Sequence, residues 1–320
     1  MERSVLQLVS VDRVTCLTRG PLILPAPAPY PSFSDSFMKS RFTNLFLTAI
    51  PVLFAGTSIA ATTSINTGSL GSGANGINSD TVTTSNPGLL GGSDRAAGYP
   101  TPSTPAALTT IPFQSGLNPA SSSSFTIEFW ANPASTAANP NSSPVSNRVS
   151  TNPRSGWAFF QRTDAWSFVM YSGTGTAAGW DLTGGTATVN QWSHVVATWS
   201  GSAATLYVNG VLADDTNAAG LTGIYNASTA ATFGVGGITN VVGDNSPFRG
   251  GLVDEVAFYG SALSPAQILN HYNLALNNPS AYQATVLADG ALLQLTNVPE
   301  PTSALLVGLG GLVLLRRRSR

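Results

Sequence analysis

The chain predicts an all-β fold of two packed antiparallel sheets, and three observations carry that expectation. Short runs of β-branched and aromatic residues recur through residues 93–296, separated by Gly, Asn, Ser and Pro turns. Trp130, Trp157, Trp166, Trp180, Trp192 and Trp199 are spread along the same region, and burying rings of that size is the main apolar force open to it. A single short helical pattern interrupts the strands. Many short strands with polar turns and one helix suit a β-sandwich.

Residues 61–92 are rich in Gly, Ser, Thr and Asn, and read as a loose lead-in arm or a pair of weak edge strands. Residues 125–130 alternate, with Phe125, Ile127 and Phe129 on one face and Thr126, Glu128 and Trp130 on the other. Pro133 ends that strand, and residues 134–153 form an Asn-, Ser- and Pro-rich loop. Strands follow at 156–160 and 166–171, joined by a polar turn at Arg162-Thr163-Asp164, and another at 191–199. Asn209-Gly210 between Leu206-Tyr207-Val208 and Val211-Leu212 is a strong hairpin signal, because both central residues tolerate positive φ. Asp214-Asp215 then read as a solvated turn, and residues 251–259 as a long strand.

The helix is expected at residues 264–274. Ser264 is its cap, Pro265 its first residue, and Gln267 completes a capping box. Ile268, Leu269 and Tyr272 form its apolar side, and Asn277-Asn278-Pro279 stop it. Residues 282–288 and 291–296 flank Asp289-Gly290 as a last hairpin, leaving that helix as the only substantial one between Ala61 and Thr296.

Four motifs, in this order and spacing, resemble the laminin-G-like, concanavalin A-like jelly-roll family. They are residues 125–130, 191–199, 206–210, and Asp254 to Tyr259 followed by Ala262 to Ile268. The resemblance spans roughly residues 95–273 and implies a jelly-roll domain with one short helix near its C-terminal end. It does not imply one function, since the fold hosts lectins, adhesion modules, hydrolases and spacers.

Hydrolases of that fold place carboxylates two and four positions apart on one strand, aimed at one face. Here Glu128 is alone on its strand, while Asp254 and Glu255 are adjacent, so in a regular strand their side chains leave opposite faces. His194 and His271 are the only histidines, and neither sits at a nucleophile or zinc spacing. Both read as structural. No catalytic residue, cofactor site or metal ligand is assigned. Calcium stays an alternative, since Asp164 and Asp244-Asn245 offer oxygens in loops, although turns use the same residues for local hydrogen bonds. Trp130, Trp166 and Trp180 are conceivable sugar platforms, with the core as the favoured place for each.

The two ends have a different character. Residues 1–37 carry five prolines between Pro21 and Pro31 and no sustained period; they read as a mis-called start, with an unusually long leader as the alternative. Met38-Lys39-Ser40-Arg41, the apolar run 45–55 and Ser58-Ile59-Ala60 have the layout of a secretory signal peptide over residues 38–60. At the other end, residues 297–320 contain Pro299-Glu300-Pro301, an apolar run from Ala304 to Leu315, and Arg316-Arg317-Arg318. About a dozen helical residues reach roughly 18 Å, short of a hydrocarbon core of about 30 Å. This resembles the PEP-CTERM sorting signal, which implies transient membrane insertion and an exosortase-type processing enzyme as partner.

About 235 residues remain without the ends, enough for one large β domain. The only cysteine, Cys16, lies in the doubtful extension, so disulfides and thiolate chemistry are excluded. From 61 to 296, five arginines face eleven acids, a net charge of −6 with no lysine. That excludes nucleic acid as partner. The expectation is therefore an exported, non-enzymatic module at the cell surface or in extracellular matrix, binding extracellular polysaccharide or a surface protein. The alternative is an extracellular glycoside hydrolase on the same fold.

Overall fold

The computed structural model describes residues 63–100, 107–135, 141–149, 152–175, 178–215, 231–239 and 246–297. In chain order the strands are β1 (Thr63–Asn66), β2 (Gly76–Asn78), β3 (Thr83–Pro87), β4 (Arg95–Gly98), β5 (Thr109–Ile111), β6 (Phe125–Asn132), β7 (Val145–Val149) and β8 (Ser155–Arg162). They continue as β9 (Ala165–Ser172), β10 (Ala178–Thr186), β11 (Ser193–Trp199), β12 (Ala204–Val208), β13 (Val211–Asp215), β14 (Phe233–Val235) and β15 (Leu252–Tyr259). Helices α1 (Pro265–Asn277) and α2 (Pro279–Ala288) precede β16 (Ala291–Thr296).

Every pairing between the described strands is antiparallel, and one isolated bridge, Ser143 with Pro247, is parallel. The hydrogen-bonded path runs β10-β9-β8-β7-β14-β5-β2-β1-β16-β15-β6-β11-β12-β13, with β4 also pairing β15 and β3 pairing β4. Its two ends approach each other: the Thr183 N–H of β10 donates to Asp214 Oδ2 of β13 at 2.9 Å. The all-β, antiparallel expectation therefore holds, as a nearly closed sheet.

The core follows from the alternation. Phe125, Ile127 and Phe129 of β6, Val195 and Ala197 of β11, and Phe258 of β15 enter one buried cluster with Trp157 and Phe159 of β8 and Phe168 of β9. Phe129 meets Phe159 edge-on at 4.8 Å, and Trp157 meets Phe233 edge-on at 5.3 Å, the geometry ring quadrupoles favour. Strands from the two halves of the path thus face each other across an aromatic interior. The other face of β6 and β11 carries Trp130 and Val196, which pack under the helices with Ile268, Tyr282 and Val286.

The region read as an arm is tied into the sheet. β1 lies between β2 and β16, while β3 pairs only β4. Small polar residues make this pairing work, since buried Ser64 donates to Asn78 and Asn297, and Thr109 also donates to Asn78.

Helix α1 begins as expected. The Gln267 N–H donates to Ser264 Oγ at 3.3 Å, and the Ser264 N–H donates to Gln267 Oε1 at 3.0 Å. Ser264→Ala removes both the acceptor and half of the box, so we expect a loss of about 1 kcal/mol. A denaturant midpoint shift without a change in slope checks it. The buried face is Ile268, His271 and Ala275, however, and Leu269 is exposed.

Three further expectations fail. Residues 145–149, read as part of a loop, form β7, which pairs with β8 and β14. Residues 279–288 form helix α2 and not a strand, so α1 is not the only substantial helix. Pro279 occupies the first turn, which needs no N–H there, and Tyr282 and Val286 are buried at helical i, i+4 spacing. Asp214-Asp215 lie within β13 opposite Leu206 and Thr205, not in a turn. The Asn209-Gly210 hairpin is as expected, with φ of 53° and 76°. No helix of the described residues is long and apolar enough to cross a membrane.

Candidate functional site

The residues with acid–base chemistry gather on the helix side of β6 and β15. Glu128 sits mid-strand in β6, opposite Val196 of β11 and Ala257 of β15. Alternation aims its carboxyl away from the aromatic core and toward the helices. It is fully buried and accepts four hydrogen bonds. His194 Nε2 and the Tyr282 hydroxyl donate to Oε1 at 2.9 and 3.0 Å; His271 Nδ1 and the Tyr259 hydroxyl donate to Oε2, both at 2.9 Å. The donors come from β11, α2, α1 and β15.

His271 has a carboxylate at each ring nitrogen, since its Nε2 lies 2.9 Å from Asp289 Oδ2. Both nitrogens must donate, so the ring is an imidazolium. Burial alone would lower its pKa, but the charge of Glu128 and the hydrogen bonds to Glu128 and Asp289 outweigh it and the net shift is upward. For Glu128, burial pushes the pKa up, yet the His271 charge and the imidazole donors prevail and hold the carboxyl well below the usual range. Tyr259 and Tyr282 are pushed well above the ordinary phenol value, by burial first and by the Glu128 charge second. They stay neutral donors. Trp130 stacks on His194 at 4.8 Å and on Tyr272 at 5.8 Å, closing the cluster laterally.

The second group corrects the expectation for Asp254 and Glu255. They do not leave opposite faces. The register to β6 jumps between Asp254 and Ala257, and Glu255 takes a φ of 48°. This β-bulge inserts an extra residue and turns both carboxyls to the helix side. Their oxygens lie within 4.8 Å of each other and of Asp94, which precedes β4. The Leu89 N–H donates to Asp254 Oδ2 at 2.8 Å and the Leu90 N–H to Asp94 Oδ2 at 2.8 Å. Gln283 of α2 donates to Glu255 Oε1 at 2.8 Å, and Gln294 to Oε2 at 3.5 Å. Gly88 lies so close that a Cβ there would stand 2.2 Å from Asp94 Oδ2, so the loop is packed onto the acids.

Burial raises Glu255 to about 8, with its amide donors pulling the other way and Asp94 adding to the rise. Asp254 is also pushed well up, by burial and then by the charges of Glu255 and Asp94. In type, this oxygen set suits a hard cation. It is not the set anticipated for calcium: Asp244-Asn245 lie outside the described residues, and the Asp164 carbonyl accepts the Ala187 N–H at 2.7 Å in a turn.

Of the three tryptophans weighed as platforms, Trp130 and Trp166 are buried. Trp180 is partly exposed at edge strand β10 and packs against the aromatic core. An open groove of about 380 Å³ lies where the path ends meet, lined by Gly185, Thr186, Val208, Asn209, Val211 and Leu212. The sorting residues Pro299, Glu300, Pro301, Arg316, Arg317 and Arg318, and the leader at 38–60, lie outside the described residues.

Glu128 is not placed for two-carboxylate hydrolysis. The four hydrogen bonds on Glu128 take up the lone pairs of an ionised carboxylate, leaving none for a substrate proton. Sequence reasoning missed both assemblies, and a signal was present for the second alone. Val253, Val256 and Phe258 share the aromatic core, a spacing that strict alternation forbids without a bulge.

A laminin-G-type family model, described as the concanavalin A-like lectin/glucanases superfamily, matches residues 106–269, a little over half of the chain. Among curated proteins, none matches. Solved structures with a similar fold include the binding domain of Paraclostridial Mosquitocidal Protein 1, at 15% identity and a TM-score of 0.52, covering 67% of this chain and 52% of that one. The binding domain of botulinum neurotoxin DC in complex with rat synaptotagmin II has 19% identity and a TM-score of 0.48, covering 64% of this chain and 48% of that one. The chain spans about half the length of these structures. At such identities the first shows a shared fold alone.

Proposed function

The chain belongs to the concanavalin A-like lectin/glucanases superfamily, and we propose that within it this protein is a non-enzymatic, exported module that binds extracellular glycan. We read the strand path as the jelly-roll sandwich of that superfamily. One observation carries the non-enzymatic reading: Glu128, the carboxylate central to β6, is sealed from solvent with four donors on its two oxygens. A general acid or nucleophile needs a lone pair or proton facing the substrate. Glu128 spends all of its bonding capacity joining two helices to the sheet. The fold likeness to a toxin binding domain supports the same direction, as does the open groove beside β13.

A glycan array probed with purified protein, run beside a reducing-sugar release assay, tests the reading. Saturable binding without release supports it, and release of reducing ends from a bound polysaccharide overturns it.

Export and sorting are part of the proposal and rest on the sequence. Residues 38–60 act as a cleaved leader, and Pro299-Glu300-Pro301 with Arg316 to Arg318 direct an exosortase-type enzyme to the tail. The proline-flanked backbone stays extended, the form a protease binds. In a host with that enzyme, we expect cell-surface or extracellular protein lacking residue 304 onward. Alanine at Pro299 and Glu300 should leave the full-length chain in the membrane. Mass spectrometry of released protein decides: a mature form still carrying Leu305 to Leu315 makes the tail a lasting anchor.

A further inference from the structure

Two of the five arginines between 61 and 296 converge on one tyrosine. Arg148 of β7 lies opposite Gly156 of β8, which lies opposite Tyr171 of β9, so the three share a row across adjacent strands. Gly156 has φ 82°, and a Cβ there would stand 1.9 Å from the Asn147 carbonyl oxygen. Only glycine fits, and the row is therefore empty at its centre. Across that gap Arg148 Nη1 donates to the Tyr171 hydroxyl at 3.0 Å.

The Arg148 guanidinium stands 5.2 Å from the Tyr171 ring centroid, and that of Arg154 stands 6.0 Å from the same ring. Arg154 is fixed at the strand mouth, where its N–H donates to the Gly175 carbonyl and its carbonyl accepts the Gly173 N–H. Tyr171 is buried, while both arginines are partly exposed. A third arginine, Arg162 at the far end of β8, lies over Phe160 and is paired with Asp181 at 2.8 Å. Arg148 is held below its usual pKa, first by burial and also by the charge of Arg154, although Tyr171 opposes this.

Two like charges on one ring repel each other. Arg148 and Arg154 each have further interactions as well, so it is the convergence of the two that points to an anion. A planar fork is suited to two-point contact with a carboxylate or sulfate, and the ring beneath orients it. The body of the domain is acidic, with a net charge of −6 between 61 and 296, so a local cationic pair would select an anion at this one place.

We propose that Arg148 and Arg154, set on Tyr171, form a subsite for an acidic group of the bound glycan, a uronate carboxylate or a sulfate ester. This rests on the glycan-binding reading and names its ligand class.

The test compares purified protein with its Arg148→Gln, Arg154→Gln and double variants on an immobilised polyuronate, a sulfated polysaccharide and a neutral one. Thermal melting is recorded for each. Wild type is expected to bind an acidic polymer, about tenfold more weakly at high salt than at low. The double variant should lose about tenfold or more of that affinity with little change in melting. Arg148→Lys keeps the charge but not the fork, and should fall between. If the double variant does not fold, Arg154→Gln at the strand mouth gives the same reading. Binding to polyuronate alone or to sulfate alone supports the subsite and identifies the group. Acidic-polymer binding that survives loss of both arginines, or binding to the neutral polymer alone, overturns the subsite and leaves glycan binding standing. No binding to any of the three, nor on a wider array, overturns the glycan reading itself.

Discussion

Glu128→Ala is expected to leave the protein unfolded or to lower its melting temperature by more than any other single change. The substitution strands His194, His271, Tyr259 and Tyr282, all buried, without their common acceptor. It also removes the counter-charge of the His271 imidazolium, leaving Asp289 as its remaining carboxylate. Breaking a buried pair by removing one partner costs about 3–5 kcal/mol. Tyr282→Phe, by contrast, deletes one donor of four and should cost about 1–2 kcal/mol. Circular dichroism melts of the two variants check the ranking. Equal, small effects would mean that Glu128 does not hold the helices to the sheet.

The second large effect is a pH dependence with a definite sign. Glu255 is raised from 4.5 to about 8 and Asp254 is raised as well, so the folded chain holds these protons more tightly than the unfolded one. Their contribution is complete below the unfolded values, 3.8 for Asp254 and 4.5 for Glu255, and declines as pH rises toward the folded values. His271, also raised, acts in the same direction: its stabilisation is full below 6.5 and lost as pH rises through its folded value. Glu128 is lowered, so its stabilisation exists above 4.5 and is lost as pH falls through its folded value. Stability should therefore peak near pH 5 and fall toward pH 9. The Glu255 shift alone corresponds to on the order of 5 kcal/mol. That is about 10 °C in melting temperature for a domain of this size. Glu255→Gln, which cannot ionise, should flatten most of the alkaline decline. Melts in chelator from pH 4 to 9 check it, and a profile that rises from pH 5 to 9 contradicts the sign.

Much of the fold was legible because its signals are local. Alternation placed Phe125, Ile127 and Phe129 in the core and Glu128 on the other face; Asn209-Gly210 fixed a hairpin; Ser264 and Gln267 fixed a helix start. The candidate site was less legible because its geometry is not local. Glu128 meets His271 and Tyr282 across 143 and 154 residues, and nothing near Glu128 announces them. The bulge at Glu255 reverses the inference drawn from regular alternation, although the spacing of Val253 and Val256 hints at it. Pro279 illustrates a different difficulty. A proline after a helix is an ordinary stop, and the same proline is an ordinary first residue for the next helix. Only the i, i+4 pair of Tyr282 and Val286 decides between them, and it competes with a β-like run at 282–288.

We propose that this member of a lectin and glucanase superfamily binds its glycan without cutting it. The most direct measurement is the chain length of a polysaccharide before and after prolonged incubation with saturating protein, taken from the recovered complex. Unchanged length with retained binding is the predicted result. Progressive shortening, abolished by a carboxylate variant that still folds, would contradict it.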